Sequence, residues 1–96
     1  MGDNPQFTVG TLLQADIDFA SILQRQIGRP AFVQVEQAFF KALARLRIDA
    51  REAGEPQYRL HAMKMTVMAL TVPPLYITYG VHEEQHVVVV RRILMI

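Results

Sequence analysis

The spacing of apolar residues predicts two helices in the first half of the chain. The first is predicted from Gln14 to Ile27, where apolar residues recur at three- and four-residue intervals. These residues are Ala15, Phe19, Ile22 and Leu23. Gly28 is well placed to cap the C-terminus of this helix, and Pro30 lies just beyond it.

The second helix is predicted from Pro30 to Ala53, since a proline loses nothing in the first turn of a helix. Its buried stripe follows the same three- and four-residue spacing. The stripe consists of Phe32, Val35, Phe39, Ala42, Leu43 and Leu46. Gly54 and Pro56 end the helix.

Outside the helices, β-branched and aromatic residues indicate strands. A short strand is predicted before the first helix, and three more are predicted after the second. Their ranges are Phe7–Leu12, Met63–Val72, Leu75–Val81 and His86–Leu94. Pro73-Pro74 separates two of them, because neither proline can donate a hydrogen bond to a neighbouring strand. The polar segment His82–Gln85 forms the last turn.

This order of elements predicts an α+β fold rather than a parallel α/β sheet. We expect two N-terminal helices on one face of a roughly four-stranded antiparallel sheet, with the other face at least partly open. Residues 1–96 are expected to form a single domain, because 96 residues leave no room for a second core.

Composition narrows the classes of function. The net charge of +1 argues against a dedicated nucleic-acid binder, and the absence of cysteine excludes disulfides and thiolate metal sites. The polar segment Met1–Pro5 lacks the features of a signal peptide. The uncharged stretch Met65–Val81 contains Pro73-Pro74 and alternating tyrosines and threonines, so a sheet explains it better than a membrane span. We therefore expect a cytoplasmic protein that does not contact membranes.

Three stretches, Ala15–Phe19, Ala42–Pro56 and Leu75–Leu94, together with the order of elements from Phe7 to Leu94, resemble the RelE/ParE toxin superfamily of type II toxin–antitoxin systems. Ala15–Phe19 resembles the start of the first helix in that family, and Ala42–Pro56 resembles the end of its second helix and the loop that follows. Leu75–Leu94 resembles its final hairpin. The resemblance implies a toxin that cuts messenger RNA on the ribosome or inhibits gyrase. It also implies neutralisation by an antitoxin and no cofactor.

The chain departs from that family where the family carries its chemistry. Ribonucleolytic members place an arginine at the position that Tyr76 occupies here. The final residues, Leu94-Met95-Ile96, provide neither the basic pair nor the tail residues that such members use. The resemblance therefore supports the fold more than the activity. A degenerate, non-catalytic relative that only binds a protein is the alternative, and an unrelated interaction module is a third hypothesis.

Metal-independent RNA cleavage needs a group that acts on the 2′-hydroxyl, cations near the phosphate and an acid for the leaving oxygen. We predict Lys64, Tyr76 and Arg92 as catalytic residues, with Arg59 and Arg91 binding RNA. If Leu75, Ile77 and Tyr79 face the helices, strand alternation places Tyr76 and Thr78 on the open face. The alternative is structural. Lys64 would then guard an edge strand, Tyr76 would pack across strands, and both C-terminal arginines would be solvated.

Two further clusters have a structural and a functional interpretation. His61, His82 and His86 lack the spacing of metal ligands, so no metal site is expected. The basic residues of the second helix could bind nucleic acid, although a solvent-exposed helix face is the simpler interpretation. These residues are Lys41, Arg45, Arg47 and Arg51.

The methionines predict an adaptable apolar surface, because methionine is flexible and polarizable. Part of this set must belong to the core, and the remainder would lie on the open face of the sheet. A helix or an added strand from the antitoxin would cover that surface. The set consists of Met63, Met65, Met68 and Met95, together with Tyr76 and Val88.

Overall fold

The computed structural model describes residues 6–96, so the N-terminal segment Met1–Pro5 lies outside the described residues. The fold class is α+β, as predicted. Both helices match their predicted bounds to within one residue. The elements in chain order are β1 Thr8–Thr11, α1 Leu13–Gln26, α2 Ala31–Ala53, β2 Glu55–Leu60, β3 Met65–Val72, β4 Leu75–His82 and β5 Val87–Met95.

The sheet has five strands in the order β1-β5-β4-β3-β2, where about four were expected. One pair, β1 with β5, is parallel, and the other three pairs are antiparallel. The sequence analysis missed β2 because Glu55–Arg59 has no apolar alternation, and all five of these residues are exposed. As an edge strand, β2 can accommodate Pro56, which has no N–H to donate.

Both helices pack on the same face of the sheet. β4 directs Leu75, Ile77, Tyr79 and Val81 towards them, and all four side chains are buried. Of the stripe predicted for α2, Val35, Ala42 and Leu46 are fully buried. The rest of that stripe is partly buried and includes Phe39, which stacks on Phe19 of α1 with ring centroids 4.0 Å apart. Within residues 6–96, neither helix has the length and apolar character needed to cross a membrane.

The C-terminal end of α2 joins the sheet by close packing. Asp49 departs from helical geometry (φ −143°, ψ 52°), and the carbonyl oxygen of the next residue, Ala50, accepts a hydrogen bond of 2.8 Å from the Tyr79 hydroxyl. Burial raises the pKa of Tyr79 to about 12, so this hydroxyl stays protonated and can donate. A Cβ at Gly54 would lie 2.4 Å from the carbonyl oxygen of Ala69, which explains why glycine occupies this position.

α1 buries Ala15 and Ile22 in the core and also makes polar contacts at an edge of the sheet. β1 pairs with β5 from Val87 to Val90, and among residues 6–96 no strand pairs with the outer edge of the β5 residues that follow. The carboxylate of Asp18 in α1 partly replaces a strand partner at this edge. It accepts hydrogen bonds from the backbone N–H of Ile93 at 3.0 Å and from Nε of Arg92 at 2.8 Å.

Candidate functional site

Tyr76 lies on the open face of the sheet, as strand alternation predicts. It is opposite Thr71 of β3 and Leu94 of β5, and its side chain is partly buried. A shallow cavity of about 280 Å³ adjoins it and is bounded by Thr71 and by Glu55 of β2. The cavity brings no cation to the Tyr76 hydroxyl, since its lining contains no lysine, arginine or histidine.

Lys64 does not lie in a strand, contrary to the prediction of a strand that starts at Met63. The short 3₁₀ turn His61–Met63 precedes it, and Lys64 has a left-handed backbone conformation with φ of 52°. Its N–H donates to the carbonyl oxygen of His61 at 3.2 Å. The exposed ammonium is 3.6 Å from a carboxylate oxygen of Glu84, and such a solvated ion pair adds little stability.

The strand register places Lys64 and Tyr76 at opposite ends of the sheet. Met65 of β3, next to Lys64, pairs with His82 of β4. Tyr76 lies six residues before His82 on β4. At about 3.4 Å per residue, this separation is roughly 20 Å. A lysine and a tyrosine so far apart cannot act on the same phosphate group.

Arg92 is held at the edge of the sheet by Asp18. The register of β4 and β5 shifts between Thr78 and Tyr79, which makes Arg91 the extra residue of a β-bulge and turns the guanidinium of Arg92 towards α1. Partial desolvation is the largest single influence on the pKa of Asp18 and raises it. The hydrogen bonds from Arg92, the Ile93 N–H and Gln14 together outweigh it, and the pKa falls to about 2. Arg92 is therefore paired with a carboxylate that stays ionised.

Arg59 lies on the opposite face from Tyr76. Arg59 of β2 pairs with Thr66 of β3, and Thr66 pairs in turn with Val81 of β4. Val81 belongs to the face covered by the helices, so Arg59 is on that face as well. Its Nη2 donates to a carboxylate oxygen of Glu83 at 2.7 Å, and Nε also contacts this carboxylate. The hydrogen bond raises the pKa of Arg59 and lowers that of Glu83. The five predicted site residues are thus distributed over both faces and both ends of the sheet.

Arg51 and His82 hold the turn between β4 and β5, a role that the sequence analysis missed. Nη2 of Arg51 donates to the carbonyl oxygens of His82 and Gln85 at 3.0 and 3.1 Å, and its guanidinium lies 5.0 Å from the ring centre of Phe7. Nδ1 of His82 accepts the N–H groups of Glu84 and Gln85. Nothing in the sequence marks these contacts, because more than thirty residues separate Arg51 from the turn. Residues 6–96 contain no group of three His, Asp or Glu side chains that could hold a metal ion.

The methionines do not form the predicted continuous surface. Met65 and Met68 are buried, and the thioether of Met65 lies against Gly80. Met63 and Met95 are exposed, but Met63 adjoins the β3 end that pairs with His82, whereas Met95 pairs with Leu75 at the other end. Most of the large apolar side chains that are exposed lie instead on or next to the helices. They include Leu13 and Ile17 of α1, Ile27 just after α1, and Val33, Phe40 and Ile48 of α2.

No protein-family sequence model matches the chain, and no curated protein matches it in sequence. Solved structures match its fold, and they include the following two. One is a chain of the RelBE2 toxin–antitoxin complex from Mycobacterium tuberculosis, 18% identical, with a TM-score of 0.69 over 95% of this chain and 99% of that one. The other comes from a chromosomal ParDE toxin–antitoxin system of P. aeruginosa, 12% identical, with a TM-score of 0.66 over 97% and 99% of the two chains. The chain therefore has the fold of the RelE/ParE toxins.

Proposed function

We propose that this protein is the toxin component of a type II toxin–antitoxin pair, which an antitoxin neutralises by binding it in the cytoplasm. The observation that supports this proposal is the extent of the structural match. At least 95% of this chain superimposes on nearly the whole of a chain from each of two toxin–antitoxin complexes. No large insertion or deletion separates the folds, so the same helices and strands are available to a partner.

The geometry favours a toxin that binds its target over one that cleaves RNA. Cleavage requires proton-transfer groups and cations within hydrogen-bonding distance of one phosphate. Here Lys64 and Tyr76 are roughly 20 Å apart by register, and Arg92 is turned towards Asp18. Of the two actions that the resemblance implies, gyrase inhibition needs no such cluster. Ribosome-dependent cleavage of messenger RNA by Lys64, Tyr76 and Arg92 would require these residues to rearrange on the ribosome.

A non-catalytic relative that only binds a protein partner is the second candidate. The same separation of side chains supports it, and so does the tyrosine at the position where ribonucleolytic members of the superfamily have an arginine. This candidate differs from the first in one measurable respect. It predicts normal growth when the protein is produced without its partner.

The test is induced expression of the wild type in a bacterial host, while growth, messenger RNA integrity and plasmid supercoiling are followed. Growth arrest with intact RNA and altered supercoiling is the expected result. Arrest with cleaved RNA would contradict a toxin that acts by binding its target and would support one that cleaves messenger RNA. Normal growth with folded, soluble protein would overturn the toxin proposal and leave the non-catalytic relative.

A matched variant separates chemistry from fold in this experiment. The triple change Lys64→Ala, Tyr76→Phe and Arg92→Lys removes the predicted catalytic groups and keeps a cation near Asp18. We expect this variant to arrest growth as the wild type does. Loss of arrest, with an unchanged melting temperature, would show that these residues act in toxicity. An Asp16→Asn variant serves as a surface control.

A further inference from the structure

A small cavity opens on the helix-covered side of the sheet, beside the C-terminal end of α2. Its volume is about 210 Å³, and three strands form its wall. The strand register places Thr66 of β3 opposite Val81 of β4, and Met68 of β3 opposite Pro56 of β2. Since Val81 faces the helices, Thr66 and Met68 face the same way. The cavity therefore lies on the side opposite Tyr76.

The wall of this cavity is mostly apolar. Met68 and Val81 are 4% and 2% exposed, so they form its floor, and the ring of Pro56 forms one side. The volume is below the roughly 300 Å³ at which sites for drug-sized ligands begin, so the ligand must be small. An aliphatic chain would gain from leaving water against such a wall.

Arg51 lines the cavity with a guanidinium that is held in a fixed orientation. Its Nη2 donates to the carbonyl oxygens of His82 and Gln85, and the ring of Phe7 lies 5.0 Å away. Its Nη1 and Nε donate to no residue between 6 and 96. A fixed guanidinium with unused donors is suited to a carboxylate, which accepts two parallel N–H groups.

The neighbouring charges leave the positive charge of Arg51 without a partner. Glu83 also lines the cavity, but its carboxylate binds Arg59 through both oxygens. The carboxylate of Glu84 lies 3.6 Å from the ammonium of Lys64. Among residues 6–96, no carboxylate forms an ion pair with Arg51. A small anion beside Arg51 would therefore supply the missing negative charge.

We propose that this cavity binds a small aliphatic carboxylate, with its chain against Met68 and Val81 and its carboxylate on Arg51. Binding requires neither an antitoxin nor a cellular target, so the proposal is independent of the proposed function. Because Arg51 also holds the turn between β4 and β5, the bound carboxylate would connect that turn to the end of α2. A ligand that binds only the folded chain also raises its stability.

A ligand series on the purified full-length protein tests the chemistry. The probes are hexanoate, 1-hexanol, hexylammonium and acetate, each titrated and followed by NMR. Hexanoate should bind at least about tenfold more tightly than 1-hexanol, because hydrogen bonds to charged groups are the stronger ones. Acetate, which lacks the chain, should bind at least about tenfold more weakly than hexanoate. Equal affinities for hexanoate and any other probe, or tightest binding of hexylammonium, would overturn the proposal.

Methionine methyl signals in the same titration locate the ligand. Hexanoate should shift the signal of Met68, which lines the cavity. Met65 lies on the opposite face of β3 and should not move. Met95 should not move either, although it lines a second cavity that contains Arg25 and Arg92. A shift of Met95 as large as that of Met68 would show general attraction to arginine and contradict the proposed location.

Variants assign the binding to the wall and to Arg51. Thr66→Phe fills the cavity and should weaken hexanoate binding at least about tenfold, whereas Thr66→Val keeps the shape and should change it little. Arg51→Gln should lower the affinity for hexanoate to that for 1-hexanol. Arg45→Gln is its control, since Arg45 lies on the same helix but pairs with Asp49. Unchanged hexanoate affinity in Thr66→Phe or in Arg51→Gln, with both variants folded by circular dichroism, would contradict the site.

Discussion

The two helices pack on the same face of the sheet but are attached to it by different chemistry. α2 approaches so closely that Gly54 has no space for a Cβ, and a buried tyrosine hydroxyl binds the backbone where the helix bends. α1 lies at the edge where β1 ends, and a single carboxylate takes up one N–H of β5 and one guanidinium. Both helices bury apolar side chains against the sheet, but the polar contact beside this packing is a neutral hydrogen bond at α2 and an ionised carboxylate at α1.

This difference determines which conditions disturb each helix. Close packing and a neutral hydrogen bond change little with pH or salt. An ionised carboxylate loses its hydrogen-bonding advantage when it is protonated, and its ion pair weakens in salt. We therefore expect the α1 edge to loosen in acid while α2 stays in place. The predictions below test this contrast in order of decreasing effect.

Gly54→Ala should have the largest effect, destabilising the protein by at least about 3 kcal/mol. The new Cβ would lie 2.4 Å from the backbone oxygen of Ala69 and 2.8 Å from the Tyr79 hydroxyl, so the backbone itself must move. Urea denaturation followed by circular dichroism measures the change. Gly10→Ala is the control and should be close to neutral, because no atom lies within 4 Å of its Cβ position. A stable Gly54→Ala variant would disprove the close approach of α2.

Asp18→Ala should destabilise the protein by about 2 kcal/mol, because it leaves the partly buried N–H of Ile93 without an acceptor. Asp18→Asn keeps an acceptor and should cost less. Urea denaturation at pH 7 measures both variants. Equal losses in the two would mean that the charge of Asp18, rather than its place as an acceptor for β5, holds α1.

Tyr79→Phe should lower the free energy of unfolding by about 1 to 1.5 kcal/mol, since the carbonyl oxygen of Ala50 loses its buried donor. This loss should be the same at pH 7 and pH 4. Tyr76→Phe is the matched control and should change stability by less than about 0.5 kcal/mol, as expected for a partly exposed site. A loss in the control as large as that of Tyr79→Phe would show that the Tyr76 hydroxyl has a structural partner.

Acidification should remove part of the stability that Asp18 provides. With solvent screening taken into account, the free energy of unfolding should fall by about 1 kcal/mol. The pKa of Asp18 is lowered from 3.8 to about 2, so its contribution is complete above pH 4 to 5 and is lost as the pH falls towards 2. The stability difference between the wild type and Asp18→Asn should therefore narrow between pH 5 and pH 2. A constant difference over that range would contradict the lowered pKa.

The smallest effect on stability is expected on the outer side of α2. Phe40→Ser should change the free energy of unfolding by less than about 0.5 kcal/mol, because Phe40 is 63% exposed. Leu46→Ala, on the inner side of the same helix, should cost about 2 to 4 kcal/mol. Thermal denaturation of both variants compares the two sides. A strong loss in Phe40→Ser would mean that the outer side is packed in solution.

The sequence alone determined the helices, their order and four of the five strands, because these depend on local periodicity and on breakers such as Gly54 and Pro73-Pro74. It also placed Tyr76 on the open face, since alternation along a strand is a local property. It missed β2 because an exposed edge strand needs no apolar alternation; Glu55–Arg59 form a strand through pairing with β3.

Only the tertiary structure decided which charged residues meet. Asp18 and Arg92 are 74 residues apart, and Arg51 reaches a turn more than thirty residues away, so no local pattern could show either contact. The same holds for the exposed apolar side chains, which were expected among the methionines and on the open sheet face. A helix with apolar residues on two sides can bury either one. The sheet fixes which side becomes core and leaves the other exposed.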